Sequence, residues 1–292
     1  MKFTEESIDL PLVHKGKVRN IYDLGQNYLI VATDRISAFD HIIPTIIPNK
    51  GKILHKLSMF WFDFVKDIIP NHIITGDFSN FPVSLQRYVY LKDRSMIVRK
   101  AKRIDIECIV RGYLAGSGWK EYQKLQTVCG IKLSKDLKES SKITEPIFTP
   151  SSKEEGGKHD ENISFEETVR RIGIKTAENL KNISLALYKK VSEYAISKGI
   201  ILADTKLEFG FYDDKLILID EIFTPDSSRF WDMSVYQEGK SQDSLDKQYV
   251  RDYLENIKWD KTSPAPTLPK DVVDKTFAKY ISAYEKLTGR HF

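Results

Sequence analysis

Leu202-Ala203-Asp204-Thr205-Lys206-Leu207-Glu208-Phe209-Gly210 is the stretch from which the architecture can be read. In an extended strand successive side chains point to opposite faces, so Asp204, Lys206 and Glu208 share one face while Leu207 and Phe209 share the other. Asp213-Asp214 supplies a turn, and the next run, Leu216 to Ile219, is wholly apolar until Asp220 and Glu221 close it. A carboxylate at the end of a buried strand loses its hydration and needs a compensating partner. Glu208 and Asp220 thus become candidates for two hard oxygen ligands, which suit Mg²⁺ held partly by protein and partly by substrate phosphates. The competing reading is a solvated charge ladder on an exposed hairpin, paired across strands.

The flanking sequence predicts more sheet, then helices that cover it. Val18–Asp23 and Tyr28–Thr33, separated by the turn-prone 24–27, read as an N-terminal hairpin. Ile53–Lys66 carries Leu54, Leu57, Trp61, Phe64 and Val65 at helical spacing and stops before Pro70. Ser95–Ala101 and Ile106–Arg111 read as strands, joined at 102–105 by a crossing between two lobes. From Thr127 to Gly157 the chain is rich in Lys, Ser, Thr and Glu, which predicts surface loop with a strand near Ile147. Ser164-Phe165-Glu166-Glu167 is a capping box, and Thr176–Lys198 is an amphipathic helix with Leu180, Ile183, Leu187 and Val191 inward and Gly199 as its stop. Ile200–Ala203, Lys206–Tyr212 and Lys215–Asp220 complete the second sheet, followed by helices near Leu245–Glu255 and Val272–Leu287 with Ser263–Pro269 between them. The expected fold is α+β and two-lobed: an antiparallel-sheet N-terminal lobe over 1–103, a mixed α/β lobe over 104–262, and a linker and helix over 263–292 packing back on the body.

Composition narrows the function classes. With 41% hydrophobic and 29% charged residues the chain has globular usage, which argues against disorder. Its 45 Lys+Arg against 41 Asp+Glu give a net charge of only +4, and the cations are scattered, so no basic patch marks a nucleic-acid partner. Cys108 and Cys129 are too few for a disulfide framework or a thiolate zinc cage, which fits a reducing compartment. Residues 1–10 lack the pattern of a signal peptide and no stretch is long and apolar enough to span a bilayer, so no membrane partner and a cytoplasmic location are expected.

Three further segments carry chemistry. His14-Lys15-Gly16-Lys17-Val18-Arg19 sets a glycine among cations just before a strand, where backbone N–H groups and Lys17 could face nucleotide phosphates; an ordinary basic turn is the alternative. No Gly-Lys pair has the other features of a Walker loop, and no G-x-G-x-x-G occurs. Gly112-Tyr113-Leu114-Ala115-Gly116-Ser117-Gly118-Trp119 opens a predicted helix with small residues, and Arg111 and Ser117 can bond a phosphate or carboxylate there, unless the glycines serve packing alone. Ala115 stands two before Ser117, which rules out a nucleophile elbow. The polar loops Thr149–Lys153, 157–162 and Thr224–Arg229 complete the set. His159, Asp160 and Glu161 lack a second histidine at zinc spacing, while Asp226 and Arg229 follow Asp220 closely enough to meet the same ligand.

Taken together, these segments resemble the SAICAR synthetase family of de novo purine synthesis. Gly16-Lys17-Val18-Arg19, Ala32-Thr33-Asp34-Arg35-Ile36-Ser37-Ala38-Phe39-Asp40 and Asp226-Ser227-Ser228-Arg229-Phe230-Trp231 carry the likeness along most of the chain. Asp204 to Gly210 is similar to the family's D-x-K-x-E-F-G signature, and Glu107 through Arg111 to Ala115-Gly116-Ser117 is similar to its E-x-x-x-R-x-x-x-A-G-S signature. Asp105 departs from the proline of many members, and the 149–162 loop resembles that of the longer ones. The resemblance implies a fold distantly like ATP-grasp enzymes and protein kinases, with nucleotide between the lobes. It implies a ligase that uses ATP to phosphorylate the carboxylate of carboxyaminoimidazole ribotide, after which the amine of L-aspartate displaces phosphate. Carried over by residue, Lys15, Gly16, Lys17 and Arg19 would face the nucleotide, and Glu208 with Asp220 would hold Mg²⁺. Arg111, Ser117, Asp204, Lys206, Asp226 and Arg229 would surround the ribotide, with Lys206, Asp204 and Lys17 as catalytic candidates. His159, Asp160 and Asn162 are assigned to L-aspartate from their place in the polar loop alone. A small-molecule kinase on a related scaffold and a non-catalytic nucleotide or RNA binder are the rival readings.

Overall fold

The computed structural model describes residues 8–153 and 161–292. The chain begins with β1 (Leu12–Lys15), β2 (Arg19–Asp23), β3 (Asn27–Ala32), β4 (Ile36–Ala38) and β5 (His41–Ile43), then α1 (Lys50–Phe64), β6 (Ile73–Thr75), the short α2 (Val83–Gln86) and β7 (Ser95–Arg99). β8 (Lys102–Arg103), β9 (Ile106–Tyr113), α3 (Gly116–Leu125), β10 (Thr127–Val128), β11 (Ile131–Lys132), β12 (Lys142–Phe148) and β13 (Ser151–Ser152) follow. The remainder is α4 (Phe165–Ile172), α5 (Ile174–Ser197), β14 (Ile200–Tyr212), β15 (Lys215–Ile219), β16 (Ser228–Asp232), α6 (Gln248–Asn256) and α7 (Lys270–Thr288). None of these helices is long and apolar enough to cross a membrane.

Two antiparallel sheets organise these elements. The first has five strands in the order β1-β2-β3-β7-β6. The second follows the path β12-β9-β14-β15, with β13 added to β9 and both β8 and β16 added to β14. β14 is the backbone of this sheet because its two halves have different neighbours: β9 and β16 pair its first half, β15 and β8 its second. The alternation read from the sequence is present, since Leu207 and Phe209 are fully buried in the main core while Asp204, Lys206 and Glu208 look the other way into a shared polar network. Burial of apolar side chains of this size stabilises by roughly 2 kcal/mol each. Asp213 and Asp214 both have positive φ, 48° and 56°, as a two-residue hairpin turn of the primed kind requires.

α5 covers the second sheet with Leu180, Leu187 and Val191 buried and Ile183 half-buried, and it ends at Gly199 in the left-handed region (φ 73°). Ser164 caps α4 by accepting from the Glu167 N–H at 3.2 Å. α1 joins the same core as α5 and α7 through Ile53, Leu54, Leu57 and Trp61, while also touching β3 of the first sheet. The first sheet has its own smaller core of Leu29, Val31, Leu85, Leu91 and Ile97.

Two expectations need correction. Within 127–153, expected as surface loop, the strand near Ile147 is present as β12, paired with β9, but β10, β11 and β13 are strands as well, and Val128, Ile143 and Phe148 are buried. Their apolar residues are isolated among Lys, Ser and Glu, so no periodicity announces the strands; β9 supplies the order for β12 and β13, and β10 and β11 pair with each other. The register of β12 on β9 shifts between Lys142 and Ile147. Ile200–Ala203 and Lys206–Tyr212 are also one continuous strand of 13 residues, because Asp204 and Thr205 pair with both β9 and β16.

Candidate active site

The order β9-β14-β16 puts three charged residues side by side, with Asp204 opposite Arg111 on one strand and opposite Arg229 on the other. Arg111 is buried and spends every nitrogen: Nη1 on Asp204 at 3.0 Å, Nε on Thr149 Oγ1 at 3.0 Å, and Nη2 on Ser117 Oγ at 3.0 Å. Arg229 donates to the same Asp204 oxygen. Burial works against the Arg229 charge, but Asp204 outweighs it and raises its pKa. The glycines of the 115–118 turn make room for these guanidinium groups. Gly116 has a positive φ of 55°, and a Cβ there would lie 2.2 Å from Arg229 Nη2; a Cβ at Gly118 would come within 3.1 Å of Arg111.

These groups line a cavity of about 250 Å³. Arg111, Ser117, Asp204, Lys206, Asp226 and Arg229, the six residues expected around a ribotide, all lie on its wall. Sequence reading missed Thr205, Ser227, Ser228, Asp246, Lys247 and Arg251, which line it as well. For Lys247 and Arg251 the signal is two cations four apart, on one face of the helix predicted near Leu245–Glu255.

Lys206 links the cavity to a second cluster. Its ammonium donates to Glu107 at 2.6 Å and to Glu208 at 3.2 Å, and Lys153 donates to the other Glu208 oxygen at 2.6 Å. Burial opposes charge on both Lys206 and Glu208, yet their mutual attraction prevails: Glu208 is held well below the usual carboxylate range and Lys206 is raised. Asp220 sits just beyond Ile219, the cross-strand partner of Glu208, and its φ of 68° ends the strand and breaks the alternation that would have turned it away. Arg19 ties this end to the first sheet, pairing with Asp220 and with Glu221 at 3.5 Å. Arg19 feels Asp220, Glu221 and Glu208 together, and Lys206 feels Glu208 and Asp220, so the two predicted ligands belong to one charge cluster. Among the described residues, no group of three or more His, Cys, Asp or Glu is placed to hold a metal ion.

Other predicted residues are placed as follows. Lys15 is exposed, and Lys17 is half-exposed with its ammonium on Asp40. Arg35 pins the 16–20 turn by donating to the Gly16 carbonyl at 3.0 Å, the Lys17 carbonyl at 3.2 Å and Asn20 Oδ1 at 2.8 Å. Asp226 is buried with both oxygens engaged, one by Lys50 at 2.5 Å and one by the Tyr280 hydroxyl at 2.7 Å. Burial alone would raise its pKa, but Lys50 brings it down. Asn162 does not reach the cavity wall and instead donates to Glu121 at 2.8 Å. His159 and Asp160 lie outside the described residues.

Fold and site together define a class: an α+β protein with a cation-rich cavity beside a buried carboxylate cluster. The SAICAR synthetase family model matches residues 12–266. A phosphoribosylaminoimidazole-succinocarboxamide synthase of Thermodesulfovibrio yellowstonii is 58% identical over 279 residues, 95% of this chain and 95% of its own length. Its counterpart in Geotalea uraniireducens is 56% identical across 98% of this chain and 97% of its own. Among solved structures, the SAICAR synthase of Saccharomyces cerevisiae complexed with SAICAR aligns over 100% of this chain and 99% of its own with a TM-score of 0.91 and 46% identity. A SAICAR synthetase in complex with ADP aligns over 96% of this chain and 98% of its own at a TM-score of 0.71 and 25% identity. The chain belongs to the SAICAR synthetase family.

Proposed function

We propose that the cavity between Arg111 and Arg229 takes carboxyaminoimidazole ribotide and that Glu208 and Asp220 hold Mg²⁺ with an ATP molecule beside it. The chain is a carbon–nitrogen ligase: it joins L-aspartate to the ribotide carboxylate, giving SAICAR, ADP and phosphate, a step of de novo purine biosynthesis. The observation that carries the assignment of sites is the convergence of six sequence-predicted residues on one cavity whose member Lys206 also bonds Glu208.

A carboxylate is a poor electrophile, so the ribotide carboxylate first attacks the γ-phosphorus of ATP; ADP leaves, and an acyl phosphate remains. The aspartate amine then attacks the acyl carbon, the C–O bond to phosphate breaks, and the amine gives up a proton. Lys206, kept protonated by Glu107 and Glu208, offers positive charge where the carboxylate oxygen is being phosphorylated. Asp204 sets the angle of Arg111 and Arg229 and so positions the ribotide. Lys17, on a turn pinned by Arg35, exchanges Asp40 for nucleotide phosphate. Glu208 would suit a divalent cation because it is buried yet kept ionised, and Asp220 would supply the second carboxylate. When bound there, Mg²⁺ neutralises charge on the nucleotide phosphates. Asn162, with His159 and Asp160, remains our assignment for L-aspartate. The two buried unpaired cysteines support a cytoplasmic location.

Turnover should require ATP, Mg²⁺, the ribotide and L-aspartate together, which omission of each in turn will check by ADP release and product mass. ADP with a phosphorylated hydroxyl product in the absence of aspartate would replace the ligase reading by that of a small-molecule kinase.

A further inference from the structure

Three cations hold the two carboxylates proposed for the metal ion, and they are not held alike. Lys206 stands within β14 and divides its ammonium between Glu107 at 2.6 Å and Glu208 Oε1 at 3.2 Å. Arg19 stands within β2 and divides its guanidinium between Asp220 and Glu221. Each therefore keeps one carboxylate when the other turns to a new partner. Lys153 has no such reserve: among the described residues its ammonium meets Glu208 Oε2 alone, at 2.6 Å. Its backbone lies outside any strand, one residue past β13, whereas Lys206 pairs with Ile109 of β9 and Arg19 with Ala32 of β3.

We propose that Lys153 is the cation that gives up Glu208 to a divalent metal ion, and that its freed ammonium binds the nucleotide phosphates that arrive with the metal. This rests on reading Glu208 as a metal ligand. A carboxylate buried as deeply as Glu208 is costly to leave bare, so the metal-free protein carries cations of its own there. An ammonium on a flexible stem suits the exchangeable position, because its single contact yields to an ion of higher charge that prefers carboxylate oxygen. An ammonium and a divalent ion on the same oxygen repel one another, so the two compete for it. Once released, the Lys153 ammonium stands beside the phosphate oxygens that share the metal, and a charged donor with a charged acceptor makes a strong hydrogen bond. Glu208 is thus never without a counter-charge, and metal and nucleotide each favour the binding of the other.

Amine labelling of the full-length enzyme tests this. Pulses of a small acylating reagent, read by peptide mass, should modify Lys153 slowly in the metal-free enzyme, several-fold faster with Mn²⁺ alone, and slowly again when a non-hydrolysable ATP analogue joins the metal. In Lys153→Met, Mn²⁺ alone, followed by the paramagnetic resonance of the free ion, should bind roughly tenfold tighter than in wild type because its competitor is gone. The KM for ATP should rise by a similar factor, the usual loss for a hydrogen bond to a charged group, with the ribotide KM unchanged. A lysine with a merely structural part would weaken both affinities or neither. Lys153→Arg, which keeps a charged donor, should stay close to wild type in both measurements. Should Lys153→Met fail to fold, the labelling of wild type decides by itself. Labelling indifferent to Mn²⁺, or Mn²⁺ and ATP affinities that stay unchanged or weaken together, would overturn the proposal. Loss of Mn²⁺ binding in Glu208→Gln checks the metal reading separately: where that loss is seen and Lys153 is indifferent, only this inference falls; where Glu208→Gln binds Mn²⁺ like wild type, the reading of Glu208 falls first and takes this inference with it.

Discussion

Asp204 and Glu208 stand four residues apart on the same strand, face the same side and are equally buried, yet they are neutralised in different ways. Asp204 is held by two arginines that arrive from neighbouring strands in register, and Arg111 is fixed in turn by Thr149 and Ser117. Glu208 is held by two lysines, one of which it shares with Glu107. A guanidinium presents planar donors in a fixed fork and keeps its charge; an ammonium is a point charge on a flexible stem that can be exchanged for another cation. One carboxylate is thus built into the frame of the cavity, while the other is held ready to change partners. The first arrangement suits positioning, and the second suits the metal–nucleotide site proposed for Glu208.

The sharpest way to break this contrast is to remove each carboxylate. Glu208→Gln should lower kcat by roughly a thousandfold, on the scale of the several kcal/mol that a bound cation contributes to phosphoryl transfer. Its stability in urea should fall by no more than about 1–2 kcal/mol, since Lys206 retains Glu107. Wild-type turnover in this variant would remove Glu208 from the metal site. Asp204→Ala should fall chiefly on the fold, losing about 3–5 kcal/mol in the same unfolding assay, because Arg111 stays buried without its counter-ion. Equal losses for the two variants would show that the choice of arginine or lysine carries no functional meaning.

A milder probe is Tyr280→Phe, which frees one oxygen of Asp226 but leaves Lys50 in place. It should lose about 1 kcal/mol of stability and raise the ribotide KM a few-fold, by roughly the same free energy, without altering the ATP KM. The smallest effect at neutral pH concerns His55, a buried group outside both regions whose pKa is pushed down to about 4 by burial. The unfolded chain takes up that proton below about 6.5, so the His55 contribution is complete above that pH and is lost as pH falls toward 4. Glu208 and Asp226, whose pKa values are also depressed, lose theirs only below the ordinary carboxylate range. His55→Gln should therefore flatten the stability profile between pH 6.5 and 4 and leave the steeper acid limb intact.

Much of this was legible in the chain itself. The 204–210 alternation, the Asp213-Asp214 turn, the capping box at Ser164 and the stop at Gly199 are local signals, set by backbone geometry within a few residues, and each appears where the sequence places it. The six cavity residues were named through the family resemblance of the motifs that hold them, and the structure brings them to one cavity. β10, β11 and β13 were not legible as strands, since β13 takes its order from β9 and the two-residue β10 and β11 from each other, with no period of their own.

The sequence by itself determined which segments are strands and helices over most of the chain, and which side chains could bear charge in a polar site. Only the tertiary structure decided which charge meets which: Arg19 with Asp220 across 201 residues and Lys50 with Asp226 across 176. Such pairings follow from how the two sheets and the helices pack on their buried apolar faces, and a linear chain holds no local trace of them.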